Sequence, residues 1–520
     1  MKKVVALLLA MVMALGILCT AVAEAEKPTI TILMNVDSGI IDIETNAYTK
    51  HLEEQLNCNL DFVYLPASGA DEKLAMMINS GETLPYVINY RLTLETTWQY
   101  AQTGALRPLT EYYSNPEFNS NLVEAEKKVP GIFKYITCPD GEIYAIPEYQ
   151  RELHSNVQNK LWINQTWIDE TGMGTPKTTD EFYEVMKKVQ ENHPESLGLI
   201  GRAGSGQADL VEYFMGAFIY DDGEDHFTLT DGVLDVAYDK DEWKEGLTYL
   251  RKLYQEGIIY KDSFILERST QKALALQEDP LICAGFFNSS ISLIDQSNTA
   301  WKNYEGLEPL TGPEGVSYAR LNGSYAQPHW FVTKDCPDEL VDLATSIGIF
   351  MFDPTEEEFI LNRFGVEGVD WSRPDPSEPS KYAGFPSRYY QLHVIWNMEQ
   401  NSHWQKNAPI FALDVDQGEW DDGDATNWSH KVPHAVVKYM EHLPKAGEYV
   451  PRLIYNEDEL DEFNEIRTSL QTYVDECKTL FITGDMSLED DWDEYLNTLE
   501  GMNYKGFIEC AQGVYDRMYK

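Results

Sequence analysis

Residues 28–90 alternate between two periodicities, and that alternation restricts the fold more than any other feature of the chain. Residues 29–34 (TITILM) form an apolar run of strand length, followed by the turn signal Asp37-Ser38-Gly39. Residues 46–56 then place Tyr48, Leu52 and Leu56 on one helical face, and residues 60–65 (LDFVYL) read as a second strand closed by Pro66. A helix over 71–79, stopped by Ser80-Gly81, and a short strand over 86–90 complete a β-α-β-α-β opening. Strands alternating with helices predict an α/β fold with a parallel sheet covered on both faces. The 520 residues exceed what one hydrophobic core organises, so two large lobes are expected.

Helical periodicity dominates the rest. Hydroxyls at Thr178 and Thr179, or Asp180, can cap a helix that carries Phe182, Val185, Met186 and Val189 on one face. Residues 243–255 repeat the pattern with Trp243, Leu247, Leu250 and Tyr254, ended by Gly257, and residues 457–481 continue it over many turns. The Pro-rich stretch 373–379 reads as an exposed connection.

The N-terminus has the layout of an export signal. Lys2 and Lys3 precede an apolar run over 4–18, and Ala21-Val22-Ala23 supplies the small-residue cleavage pattern, so residues 1–23 are expected to be a signal peptide. Lipid attachment at Cys19 is the competing reading, disfavoured because Leu18 stands where a small side chain is preferred. Beyond the signal, no apolar run reaches the roughly 20 residues needed to span a bilayer. Six cysteines remain after cleavage with no Cys-x-x-Cys spacing, which leaves disulfides and buried thiols both open.

With 86 acidic residues against 40 basic ones, the formal charge of -46 repels a phosphate backbone and argues against a nucleic-acid partner. Catalytic signatures are missing: there is no His-Glu-x-x-His, no phosphate-cradling Gly-x-x-x-x-Gly-Lys loop and no Gly-x-Ser-x-Gly elbow. The acidic runs at 221–225 and 414–424 do not match a calcium loop, because Phe218 or Gly418 falls where the first oxygen ligand belongs, and they read as solvated loops. No cofactor or metal is expected. What stands out is tryptophan in polar company: Trp98 between Thr97 and Gln99, Trp330 after His329, Trp404 after His403, and Trp428 after Asn427. A sugar ring has an apolar C–H face and a rim of hydroxyls, so a cleft that mixes aromatic and polar side chains satisfies both. The competing reading of each tryptophan is a core filler.

Several segments, in order along the chain, resemble one family. Residues 73–85 (KLAMMINSGETLP), 140–147 (DGEIYAIP), 161–164 (LWIN) and 175–182 (TPKTTDEF) are similar to motifs of the family 1 extracellular solute-binding proteins of bacterial ABC importers, in their long oligosaccharide-binding branch. Residues 253–257 (LYQEG), 362–371 (NRFGVEGVDW), 481–485 (FITGD) and 491–496 (DWDEYL) continue the likeness. The resemblance implies a two-lobed, periplasmic-binding-protein-like fold with a hinge. Lobe one would hold residues 27–148 plus 326–385, and lobe two 149–325 plus 386–520. It further implies an exported, cell-surface-associated, monomeric receptor that captures an oligosaccharide and passes it to ABC permease subunits. Some relatives carry a calcium loop after the helix beginning at residue 179, but this chain has residues 190–198 (QENHPESLG) there, so no calcium is expected.

Ligand contacts are expected where the chain crosses between lobes and where aromatics sit among polar groups: Trp98, Tyr149, Asp209, Phe286, Asn288, Trp330, Trp371, Trp396 and Trp404. A secreted glycan-active hydrolase or lyase, or a receptor for a peptide or other solute, is the alternative.

Overall fold

A computed structural model describes residues 27–36, 39–151, 156–157, 159–202, 209–275, 281–285, 300–323, 325–377, 388–392, 399–405, 407–413 and 431–520. The chain opens as its periodicity requires: β1 (Thr29–Met34), α1 (Ala47–Gln55), β2 (Asn59–Tyr64), α2 (Ala70–Ser80), β3 (Val87–Asn89) and α3 (Leu94–Gln102), followed later by β4 (Ile146–Arg151). Asn46 caps α1 by accepting from the Tyr48 N–H, as a short polar side chain before an amphipathic helix does.

The chain then builds β5 (Leu161–Asn164), α4 (Thr179–Asn192), β6 (Gly198–Ile200), α5 (Leu210–Met215), α6 (Asp241–Gln255), β7 (Ile282–Gly285) and β8 (Tyr304–Leu307). It returns through β9 (Gln327–Val332), α7 (Asp338–Met351) and β10 (Phe411–Leu413), and ends on α8 (Glu457–Thr483) and α9 (Tyr504–Tyr519). Thr178 caps α4 through the Glu181 N–H, 3.1 Å away. A full capping box between Asn456 and Glu459 starts the 27-residue α8.

Two sheets organise two cores. The first has strand order β10-β4-β9-β3-β1-β2, and the second β8-β5-β7-β6. In the first, β1, β2, β3, β4 and β10 run in one direction and β9 runs against them. This corrects the all-parallel expectation: β9 enters the sheet from the other lobe and meets β3 and β4 head to tail. In the second sheet, β6, β7 and β8 share a direction and β5 opposes them.

The segment after residue 386 was expected in lobe two, yet Tyr389, Trp404, Ile410 and Phe411 pack with Ile32, Val87 and Ile146 in the first core. Pairing of β10 with β4 is the cause, since it inserts Phe411 beside Tyr149 at the sheet edge. The first crossing also comes later than expected: β4 stays in the first sheet through Arg151, and Val157 already belongs to the second core. Between Ala319 in the second core and Ala326 in the first, the chain crosses back. Lobe two closes with α8 and α9, whose Phe463, Val474, Phe481 and Phe507 join Trp243 and Leu250 of α6.

Candidate functional site

In open α/β sheets, ligands bind beyond the carboxyl ends of the parallel strands, where backbone groups and loop side chains run out of sheet partners. Both sheets have polar clusters there.

At the first sheet, β3 ends at Asn89 and β4 passes through Glu148, while β9 brings His329 in from the opposite direction. Glu148 is buried, and burial alone would raise its carboxyl. His329 and Arg91 outweigh that and hold it below the usual carboxylate range. The Arg91 guanidinium donates from Nε at 2.8 Å and from Nη2 at 2.5 Å, His329 Nδ1 lies 2.9 Å away, and the Gln150 amide donates as well. Glu148 thus fixes an arginine whose side chain is 52% exposed, half of it facing solvent. His329 Nε2 and Asn89 Oδ1 are buried with no hydrogen-bond partner among the described residues.

At the second sheet, a cavity of about 490 Å³ opens beyond β6. Arg202 follows that strand, and the Gly201 N–H donates to Ser263 Oγ at 3.2 Å. Asp209 caps α5 through the Val211 N–H at 2.8 Å and faces Lys478 Nζ at 3.5 Å, so it lines this cavity as a sequence-expected ligand residue. Arg320, on the second crossing, donates to Glu212 of α5. Burial, with Asp209 and Asp221 nearby, pushes Glu212 up to about 8 despite Arg320.

The acidic run 221–225, expected to be solvated, is folded against this cavity instead. Asp221 is buried against His226 at 2.9 Å, and Arg467 of α8 donates to Asp225 at 2.5 Å and to Glu224 at 3.2 Å. His226 and, from a distant part of the chain, Arg467 hold Asp221 and Asp225 in place, while Glu224 stays exposed. Gly223 has φ +69°, and a side chain there would meet the Arg320 guanidinium at 2.6 Å, so glycine lets the loop close over it.

The other expected ligand residues divide clearly. Trp330, Trp371 and Trp404 are fully buried in the first core and present no ring face, which corrects their expected role. Their indole N–H groups donate to Ala344 O, Gly365 O and Thr49 Oγ1, all at 2.8–2.9 Å. Tyr149 is likewise buried, its ring 5.6 Å from that of Phe411. Trp98 on α3 is half-buried against the core that holds Leu33, Leu74 and Ile88, with its indole N–H unpartnered among the described residues. Phe286, Asn288 and Trp396 lie outside the described residues.

Arg91, Glu148, His329, Glu212 and Arg320 were missed. An acid inside the otherwise apolar helix LVEYFM, and another at the end of a buried strand, each demand a partner, and that demand was the available signal. Among the described residues, no group of three or more His, Cys, Asp or Glu side chains is arranged to hold a metal ion, and no helix is long and apolar enough to cross a membrane. The cysteines at 58, 138, 283, 336, 477 and 510 form no disulfide among the described residues.

Residues 43–278 match the family model described as bacterial extracellular solute-binding protein. The chain is 23% identical over 486 residues to the fructooligosaccharide ABC transporter substrate-binding protein FusA of Streptococcus pneumoniae, covering 90% of this chain and 86% of that one. It is 24% identical over 329 residues to the polygalacturonan/rhamnogalacturonan-binding protein YtcQ of Bacillus subtilis, spanning 62% of this chain and 63% of that protein. Among solved structures, FusA in complex with kestose superposes with a TM-score of 0.73 at 21% identity, over 94% of this chain and 99% of that one. An HMO-binding solute-binding protein of Bifidobacterium longum infantis gives 0.76 at 15% identity over the same shares. These two likenesses show the two-lobed fold. Residues 43–278 match that family over a little under half of the chain and the same fold runs nearly its whole length, so the chain is similar to the bacterial extracellular solute-binding proteins.

Proposed function

We propose that the protein is the exported receptor of an ABC importer, which captures an oligosaccharide between its lobes and delivers it unchanged to membrane permease subunits. The observation that carries this reading is the pairing of polar groups at the carboxyl ends of both sheets: a half-exposed Arg91 held by Glu148 on one, and a cavity lined by Asp209, Glu212 and Lys478 on the other. FusA and YtcQ, both named for carbohydrate ligands, support the ligand class. The lobes divide at residues 27–151 plus 326–413 and 157–319 plus 431–520, following the packing of the two cores. Ligand favours the closed arrangement by its greater affinity for it, and closure is the mechanism. Asp209 and Trp98 are kept as ligand contacts from the sequence-based set, as are Phe286 and Asn288, which directly follow β7 in sequence. Residues 1–23 serve as the export signal, and the receptor acts as a monomer.

A thermal-shift screen of the chain from residue 24 onward against oligosaccharide and peptide libraries tests this, with chromatography of the sugars afterwards. A ligand that binds only the folded state raises the melting temperature. A shift with unchanged oligosaccharides is expected; shortened ones would mean a glycan-active enzyme, and a response to peptides alone would mean a different solute class.

A further inference from the structure

We infer that the second-lobe cavity receives a neutral sugar unit and rejects a uronate. The inference rests on the oligosaccharide reading above and narrows it to one charge class.

Charge balance in the lining is the first argument. Four acidic side chains line the cavity: Asp209, Glu212, Glu224 and Asp475. Four cations, Arg202, Arg320, Arg467 and Lys478, match them. Three of the cations are engaged within the lining or just behind it. Arg320 donates to Glu212, Arg467 to Glu224 and Asp225, and Lys478 lies 2.6 Å from Asp475 and 3.5 Å from Asp209. His226, also in the lining, is already paired with the buried Asp221. An incoming carboxylate would therefore have to break an existing pair in a partly desolvated site, and it would sit against carboxylates that the pair had neutralised. The fold commits three of the four lining cations to its own acids, which reduces the positive field offered to a ligand.

The remaining lining suits hydroxyls. Ser263, Gln471 and Thr479 offer groups that both donate and accept, as sugar hydroxyls do, and Phe264 with Leu210 offers apolar surface for a C–H face. The volume, about 490 Å³, is ample for a small polar ligand or the end of a longer one. Alternating donors and acceptors, with most of the lining's cations already joined to its own acids, describe a site for a neutral polyhydroxylated molecule.

The test is calorimetric titration of the full mature chain with neutral fructo-, gluco-, galacto-, manno- and xylo-oligosaccharides, alongside oligogalacturonates and alginate oligomers of matched length. A neutral oligomer is expected to bind, with every uronate-bearing one weaker by roughly 100-fold or more, the factor that several kcal/mol of like-charge repulsion implies. A uronate oligomer that binds as tightly as the best neutral one would overturn the inference while leaving the oligosaccharide receptor intact. Silence from both classes would instead remove the proposed function itself. Thr479→Trp, which fills the cavity from α8, locates the binding: a loss of at least 10-fold is expected. Unchanged affinity in a folded Thr479→Trp protein would place the sugar elsewhere, and Thr479→Met serves the same purpose if the larger ring prevents folding.

Discussion

At the strand ends of the first lobe one buried carboxylate, Glu148, gathers an arginine, a histidine and an amide around itself, and the core beneath is apolar and aromatic. At the strand ends of the second lobe, carboxylates and cations crowd together: Asp209, Glu212, Asp221 and Asp225 answered by Arg320, Arg467, Lys478 and His226. The first arrangement spends little charge and leaves a guanidinium half in solvent. The second places most of its cations among its own acids, and the space left between them is polar. A chain with 46 excess negative charges can thus carry a binding cavity that is not itself strongly negative.

The contrast can be broken most severely in the first core. Trp330→Ala removes a fully buried indole and its hydrogen bond, and is expected to cost about 3–5 kcal/mol in urea unfolding, with sugar affinity of the folded fraction unchanged. If Trp330 contacted ligand, affinity would fall along with stability. Lys478→Met strikes the second lobe, leaving Asp209 and its neighbours without their shared cation; a loss of about 3 kcal/mol is expected, recovered in part as the pH is lowered and the carboxylates protonate. Stability that did not respond to pH in this variant would argue against a charge network.

Smaller effects separate the two lobes by pH. Glu148 is held below its ordinary 4.5, so its contribution is present above that value and fades as the pH falls beneath it. Glu212 is held up at about 8, so its contribution is complete below about 4.5 and is lost as the pH climbs to about 8. In Glu148→Gln the advantage of the parent protein should shrink toward acid, whereas in Glu212→Gln the variant should gain on the parent between pH 5 and 8.5. Melting curves from about pH 3 to 8.5 check both, and parallel curves would contradict the assigned shifts. Arg91→Ala should be the mildest change, about 1 kcal/mol or less in stability for a half-exposed group, with a measurable loss of sugar affinity.

Local architecture was legible because it depends on local pattern. The opening strands and helices, the Thr178 cap and the long α8 fall where amphipathic spacing put them. Lobe membership was not, because it hinges on β10, three residues long and recognisable only once it pairs with β4. The tryptophans were misjudged for a related reason. Polar neighbours in sequence were taken as neighbours in space, but along β9 successive side chains alternate: His329 turns to Glu148 while Trp330 turns to Ala344 and Gly348 of α7. A side chain at Gly348 would approach the Trp330 ring to 2.6 Å, a close fit that no single-residue preference reveals. Asp209 lines the second-lobe cavity, yet its partner Lys478 lies 269 residues away.

The most direct test of a ligand held between both strand edges is hydrogen–deuterium exchange of the mature chain with and without the oligosaccharide that gives the largest thermal shift. Slower exchange is expected together in residues 89–91 and 146–151 of the first lobe and in residues 209–215 and 467–479 of the second. Protection confined to one lobe, or none in either edge with binding intact, would contradict capture between the lobes.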